Sequence, residues 1–220
     1  KTFAARAGAE AEGWIERVAE YYRLDAPLPM GAVIDALRDR LPPEAIAVAD
    51  SGKNRGEMVG GWTTYEPRTM LMDSGNGAMG YGPCAALGAQ AGAPDTPVVS
   101  VSGDGGFLMV CNVLATAVEC DLPVKWVILN DRGFVSIAGI QEAYFGGDFG
   151  TYFTRGDGEE YDISFVDMAE SFGVTARRVS TPAELEAAID EMLDSDEAYL
   201  LDAQVSREGK GVDNGAQWVQ

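Results

Sequence analysis

Apolar residues recur along the chain in two rhythms. Short unbroken runs at 45–49 (AIAVA), 97–101 (PVVSV), 124–129 (VKWVIL, ending at Leu129) and 198–203 (AYLLDA) predict strands buried on both faces. Elsewhere the spacing is helical. Trp14, Val18 and Tyr21 share one face of a helix expected over 4–23. Val33, Ile34, Leu37 and Leu41 form a stripe just after Pro29, a residue suited to a first helical turn. Further helices are expected near 79–91, 106–119, 163–172 and 182–193, the last opened by Ser180-Thr181-Pro182 with acids in its first turn. Strands separated by helices predict an α/β fold: doubly wound, with a mainly parallel sheet covered by helices on both faces. Such sheets bind ligands beyond the carboxyl ends of their strands, so the chemistry is sought in those loops. A glycine- and acid-rich segment at 146–161 and the tail after Arg207 read as the loosest parts.

Composition narrows the choice. At 220 residues the chain suits one sizeable domain, or one domain with appendages. It carries 35 acidic against 16 basic residues, a net charge of −19, which repels nucleic acid and anionic membrane surfaces. Histidine is absent, which excludes Ser-His-Asp, Cys-His and HExxH chemistry by this chain alone. Lys1, Lys53, Lys125 and Lys210 are the only lysines; so acidic and lysine-poor a surface suits either high salt or an ordinary acidic enzyme. Cys84, Cys111 and Cys120 form no metal-knuckle spacing and sit among small or apolar residues. They are expected to be buried free thiols in a cytoplasmic protein.

The densest chemistry follows the strand at 97–101. Gly103-Asp104-Gly105-Gly106-Phe107 joins glycine amides, able to approach an anion closely, to an acid and a helix start. An acid inside a phosphate-cradling loop points to a bridging divalent cation, and Mg²⁺ favours a few hard oxygens shared with phosphate and water. The next strand ends at Asn130-Asp131-Arg132-Gly133, one helix and one strand further on, so the two loops should be neighbours. Alone, GDGG could be a tight turn; paired with a strand-ended Asn at this spacing, it reads as a site.

The run GDGGF…NVLATAVECDLPVKWVILND resembles the thiamine-diphosphate motif of the acetolactate synthase, pyruvate oxidase and benzoylformate decarboxylase superfamily. Two more segments match in order: Asp50-Ser51-Gly52-Lys53-Asn54, and GNGAMGYGPCAALGAQ at 75–90. The likeness covers residues 27–205, the family's C-terminal diphosphate-binding domain. It implies that Asp104, the Asn130 side chain and the Arg132 carbonyl hold Mg²⁺. It implies that Gly103, Gly105 and Gly106, with Ser51, Gly52, Lys53 and Asn54, cradle the diphosphate. Gly77 would receive the aminopyrimidine amino group, Ala78 would adjoin it, and Met79 would be the apolar wedge that bends the cofactor. Gly77 and Met79 would thereby act in catalysis through cofactor conformation, with Gly133, Phe134 and Val135 completing the binding set. Asp50 is expected to support its loop rather than touch cofactor.

Thiamine diphosphate supplies its own base, which suits a chain without histidine. The activity implied is cleavage or formation of a carbon–carbon bond beside the carbonyl of a small 2-oxo acid or 1,2-dione. Two departures matter. Asn54 stands where relatives often carry histidine, and NDRGFVSIAGIQ…GGDFGTYF is closer to the inositol-pathway cyclic dione hydrolases than to acetolactate synthases. Ring-opening hydrolysis is therefore the alternative reaction, and a non-catalytic diphosphate-binding subunit the alternative class. The resemblance also implies an activating glutamate on a separate pyrimidine-binding domain, of the same or another subunit, and a homodimer or homotetramer. FAD, bound by several relatives, would sit in a domain not present here. The expected division is a linker helix at 1–26, the cofactor domain at 27–206 and a tail at 207–220. Phe134, Val135, Ile137 and Ile140 should line the substrate side or pack a helix. Tyr144, Phe145, Phe149 and Tyr152 should be core or interface.

Overall fold

The computed structural model describes residues 27–207, so the helix expected over 4–23 and the tail from 208 onward lie outside the described residues. The four apolar runs become β1 (Ile46–Ala49), β3 (Val98–Gly103), β4 (Lys125–Asn130) and β6 (Tyr199–Gln204). Two further strands, β2 (Met70–Met72) and β5 (Thr175–Val179), occupy the edges. Among the described residues these form one parallel sheet in the order β2-β1-β3-β4-β6-β5. The edge strands escape an apolar-run search for a physical reason. Neither has two buried faces: β2 is half-buried throughout, and β5 carries Arg177 and Arg178.

The helices are α1 (Met30–Arg40), α2 (Lys53–Gly61), α3 (Tyr81–Gly92), α4 (Asp104–Leu108), α5 (Val113–Glu119), α6 (Val135–Phe145), α7 (Phe165–Ser171) and α8 (Pro182–Asp194). Strand alternation feeds two cores. Val99, Val101, Val127, Leu129 and Leu201 face α1 and α8, meeting Ile34, Leu37, Leu185 and Ile189. Val48, Trp126, Ile128 and Leu200 face the other way, meeting Ala86, Phe107, Leu114 and Phe165. Phe107 lies edge-on to both Trp126 and Phe165, with ring centroids 6.3 and 6.1 Å apart.

Several helix boundaries differ from expectation. The helix expected from 79 starts at Tyr81, because Gly80 takes a left-handed φ of 84° and a Cβ there would sit 2.8 Å from Val110. The span expected at 106–119 is two helices, with three-residue backbone turns from Phe107 to Val110 and from Val110 to Val113 between them. The glycine-rich α2 carries no strong apolar stripe. At the start of α8 the acidic signal becomes a capping box, with Glu184 N donating to Thr181 Oγ1 (3.4 Å) and Thr181 N to Glu184 Oε2 (3.0 Å).

The cysteine expectation is corrected. Cys84 and Cys120 are exposed and Cys111 is half-buried. On α3 the buried positions are Gly82, Pro83, Ala86 and Gln90, and Cys84 falls on the opposite face. Of the aromatic residues expected in core or interface, Tyr144, Phe145 and Phe149 are exposed on this chain and so lie outside its core, while Tyr152 is half-buried. The 146–161 segment pairs with Gly133 through Tyr152 and folds back on itself at Thr154–Glu160.

Candidate functional site

The chain passes from β1 outward to β2 and then back across β1 to β3. Between β1 and β3 the direction of winding reverses, which opens a crevice at the carboxyl ends of the strands. A cavity of about 290 Å³ lies there. Ser51, Gly52, Lys53, Asn54 and Arg55 line it from the β1–α2 junction, and Gly103, Asp104, Gly105 and Gly106 from the β3–α4 junction. Gly77 and Met79 reach it from the loop before α3; Gly133, Phe134 and Val135 reach it from the turn after β4. Thirteen of the sixteen expected site residues thus meet in one place. The other three are Ala78, Asn130 and Arg132.

Ala78 is exposed, and its amide donates to Asp73 Oδ2 at 2.6 Å. Asp73 organises this loop, since its Oδ1 also accepts from Gly75 N (3.0 Å) and its carbonyl from Arg55 Nη1 (3.0 Å). Asn130 is buried, but its amide is spent on structure. Nδ2 donates to Asp202 Oδ1 (2.9 Å), and Oδ1 accepts from Arg132 N (3.2 Å). The Arg132 carbonyl already accepts from Phe153 N (3.1 Å) and Arg207 Nη2 (3.2 Å). The residue brought to the cavity instead is Asp131. Alternation explains the exchange. Asn130 shares the side of Trp126 and Ile128, whereas Asp131 shares that of Val127 and Leu129, where the cavity opens.

Asp104 and Asp131 are 1% and 4% exposed. Asp104 Oδ1 accepts from Gly105 N (2.7 Å) and Oδ2 from Gly133 N (3.0 Å), which spans the two junctions. Burial nevertheless raises its pKa to about 6. Asp131 is pushed up to about 7, by burial first and then by the Asp104 charge, against the pull of Lys53 and Arg207. Phe134 closes over Gly105 so tightly that a Cβ there would lie 2.4 Å from the ring.

Asp50, fully buried, stands behind the cradle. Its Oδ2 accepts from Gly80 N (3.1 Å) and its Oδ1 from Gly82 N (3.0 Å). It therefore joins the end of β1 to the start of α3, and burial raises its pKa. Asn54, expected in the diphosphate loop, also braces strand ends by donating to Asp50 O (2.9 Å) and Val101 O (3.2 Å). Met30, Leu129, Ser136 and Ile137 line the cavity without having been singled out as cofactor-binding residues. Of the residues expected to line the substrate side or pack a helix, Ile137 lines the cavity and Ile140, half exposed, does not. No helix among the described residues is long and apolar enough to cross a membrane.

A parallel sheet whose switch-point crevice joins a glycine cradle to two buried carboxylates defines a class of cofactor-binding α/β domain. The chain belongs to the thiamine pyrophosphate enzyme family: residues 50–203 match its C-terminal TPP binding domain. Among its relatives is a probable acetolactate synthase large subunit of Methanocaldococcus jannaschii, 35% identical, with 88% of this chain and 34% of that one aligned. Another is a 3D-(3,5/4)-trihydroxycyclohexane-1,2-dione hydrolase of Shouchella clausii, 27% identical, over 86% of this chain and 30% of that one. A solved structure, the thiamine diphosphate-dependent 4-hydroxybenzoylformate decarboxylase of Rhodococcus jostii RHA1, shares the fold. Its TM-score is 0.75 at 24% identity, covering 84% of this chain and 34% of that one. The chain spans about a third of the length of these relatives.

Proposed function

We propose that residues 27–206 are the cofactor domain of a thiamine-diphosphate- and Mg²⁺-dependent enzyme. Its reaction forms or cleaves a carbon–carbon bond beside the carbonyl of a 2-oxo acid. The observation that carries this reading is that two buried carboxylates, Asp104 and Asp131, line the same glycine-rich crevice at the switch point. Two adjacent buried carboxylates repel one another, and a divalent cation removes that repulsion while offering coordination sites to phosphate oxygens. The residues present thus fit the group: hard oxygens for the metal, and backbone amides and Lys53 for an anionic diphosphate.

The cation is assigned to Asp104 and Asp131, with Asn130 as the support that fixes the turn. Bound thiamine diphosphate supplies a nucleophilic carbon and a ring able to take up the electron pair of the bond being broken. This chain's own residues bind and orient. Gly105, Gly106 and the Ser51–Asn54 junction hold the anionic end, and Lys53 offsets negative charge that a chain of net −19 would otherwise repel. Met79, Val135 and Ile137 give the cavity an apolar wall that limits water.

Calorimetric titration with thiamine diphosphate tests the reading. Binding should require Mg²⁺, disappear in EDTA and be lost in Asp104→Ala; metal-independent binding would sink it. The 35% identity to an acetolactate synthase favours 2-oxo acids, and the 27% identity to a dione hydrolase keeps ring-opening of a cyclic 1,2-dione as the second reading. A screen of the complete enzyme with both substrate classes separates them. A homo-oligomer, with a pyrimidine-binding domain completing the site, belongs to the same proposal.

A further inference from the structure

The turn that carries Asp131 is gripped from behind. Arg132 holds a left-handed φ of 60°, a conformation that a non-glycine residue keeps only when its surroundings impose it. The surroundings here are specific. Arg207, just beyond β6, donates from Nε to the Asp131 carbonyl and from Nη2 to the Arg132 carbonyl (3.2 Å). Its guanidinium lies over the Tyr152 ring, 4.7 Å from the centroid. Glu160 pairs with Arg207 at 2.8 Å and with Arg132 at 2.7 Å, so one carboxylate ties both arginines together. The segment that presents Tyr152 and Glu160 is itself bonded to the turn, through Phe134 N to Thr151 O (2.8 Å) and Phe153 N to Arg132 O (3.1 Å).

Magnitudes indicate what this clasp is for. Arg207 and Glu160 have side-chain exposures of 29% and 45%, and ion pairs so accessible to water add little to global stability. A planar fork holding two successive carbonyls, by contrast, fixes the direction of the backbone between them. That backbone bears Asp131. We propose that Arg207, held by Glu160 and Tyr152, is a positioning residue for the divalent-cation site, locking the 130–133 turn so that Asp131 faces Asp104. The proposal rests on the cation assignment made above. It adds residues outside the cavity, on the segment 152–160 and after β6, that set the affinity of the site.

The test is Mn²⁺ titration of the full-length protein, followed by electron paramagnetic resonance with saturating thiamine diphosphate, alongside thermal denaturation. Arg207→Ala should raise the Mn²⁺ dissociation constant about 10–100-fold, the usual effect of removing a group that orients a metal ligand. Its unfolding midpoint should move by no more than about 3 °C. Arg207→Lys should recover only part of the affinity, because an ammonium cannot fork two carbonyls in a plane. Glu160→Gln should show the same loss to a smaller degree. A folded Arg207→Ala protein with Mn²⁺ affinity within about twofold of wild type overturns the clasp. Should that variant not fold, the same criterion applied to Glu160→Gln decides. Asp104→Ala is the control for the underlying reading. Mn²⁺ binding that survives it overturns the cation assignment itself, whatever the Arg207 variants do.

Discussion

The two edges of the sheet solve opposite problems with the same backbone. At the amino edge, long donors close turns. Arg38 Nη2 donates to the carbonyls of Leu41 (2.7 Å) and Pro42 (2.9 Å), and Gln90 Nε2 to those of Ala93, Pro94 and Thr96. Lys125 Nζ reaches the Ser195 carbonyl (2.7 Å) and that of Glu197. At the carboxyl edge, glycines bare the backbone and carboxylates are crowded together. Both edges hold cavities, of about 240 and 290 Å³, so volume does not tell them apart. Chemistry does: at the amino edge charges are matched by carbonyls, and at the carboxyl edge burial raises the pKa of both Asp104 and Asp131. Stability and function are therefore spatially separated, and substitutions at the two ends should have different signatures.

The largest effect should come from the acidic pair. Asp104→Asn should weaken Mg²⁺-dependent thiamine diphosphate binding by about 100-fold or more, as expected for loss of a proposed direct ligand. It should leave the metal-free unfolding midpoint within a few degrees of wild type, because removal of a buried charge offsets the loss of one of two backbone acceptors. Calorimetry and thermal melts check both halves; a variant that loses stability together with binding would break the comparison.

Helix α3 runs from one edge to the other and offers an internal control. A Cβ at Gly82 would lie 2.8 Å from Asp50 N, so Gly82→Ala should cost about 2–3 kcal/mol in urea unfolding. Gly88 has open space around it, and Gly88→Ala should gain about 0.5–1 kcal/mol. Asn130→Ala separates support from ligation. It leaves Asp202 one donor short, costing about 1–3 kcal/mol, and should weaken Mg²⁺ binding less than Asp131→Asn does.

The smallest effect is a pH slope. Burial lowers the Lys125 pKa from 10.5 to about 8. Between those values the unfolded chain binds the proton and the folded one does not, so this group makes stability rise with pH across that window. Urea denaturation at either end should show the rise in wild type and a smaller rise in Lys125→Met.

How much of this was legible in the sequence depends on the signal each residue carries. The central strands, and the placing of the chemistry beyond their carboxyl ends, follow from apolar runs and alternation of elements, whereas the switch point needs the strand order. The edge strands do not, because their polarity reflects a single covered face. The glycine cradle was visible because GDGG at one strand end is followed, one helix and one strand on, by a second polar strand end at 130–133. Asp131 was not, because choosing it over Asn130 requires knowing which parity of β4 faces the crevice. That parity was available in principle, since Val127 and Leu129 alternate with Trp126 and Ile128, but both sets are apolar in a sheet covered on both sides. Arg207 and Asp73 act on backbone far away in sequence or in loops, and Glu160 acts through two distant arginines, so no local pattern marks them.

Asp50 carries one more consequence, for how such a chain can vary. A Cβ at Gly106 would lie 2.2 Å from Asp50 Oδ2, while a Cβ at Gly82 would press on the Asp50 main chain. The carboxylate thus occupies the volume that a larger residue at 106 would need. Shortening Asp50 would free that space but leave the amides of Gly80 and Gly82 without their acceptor. The two kinds of conflict differ, so tolerance at 106 depends on the residue at 50, whereas tolerance at 82 does not. Drift at 50 and 106 is constrained jointly, and the substitutions open to either are set by what the other has already become.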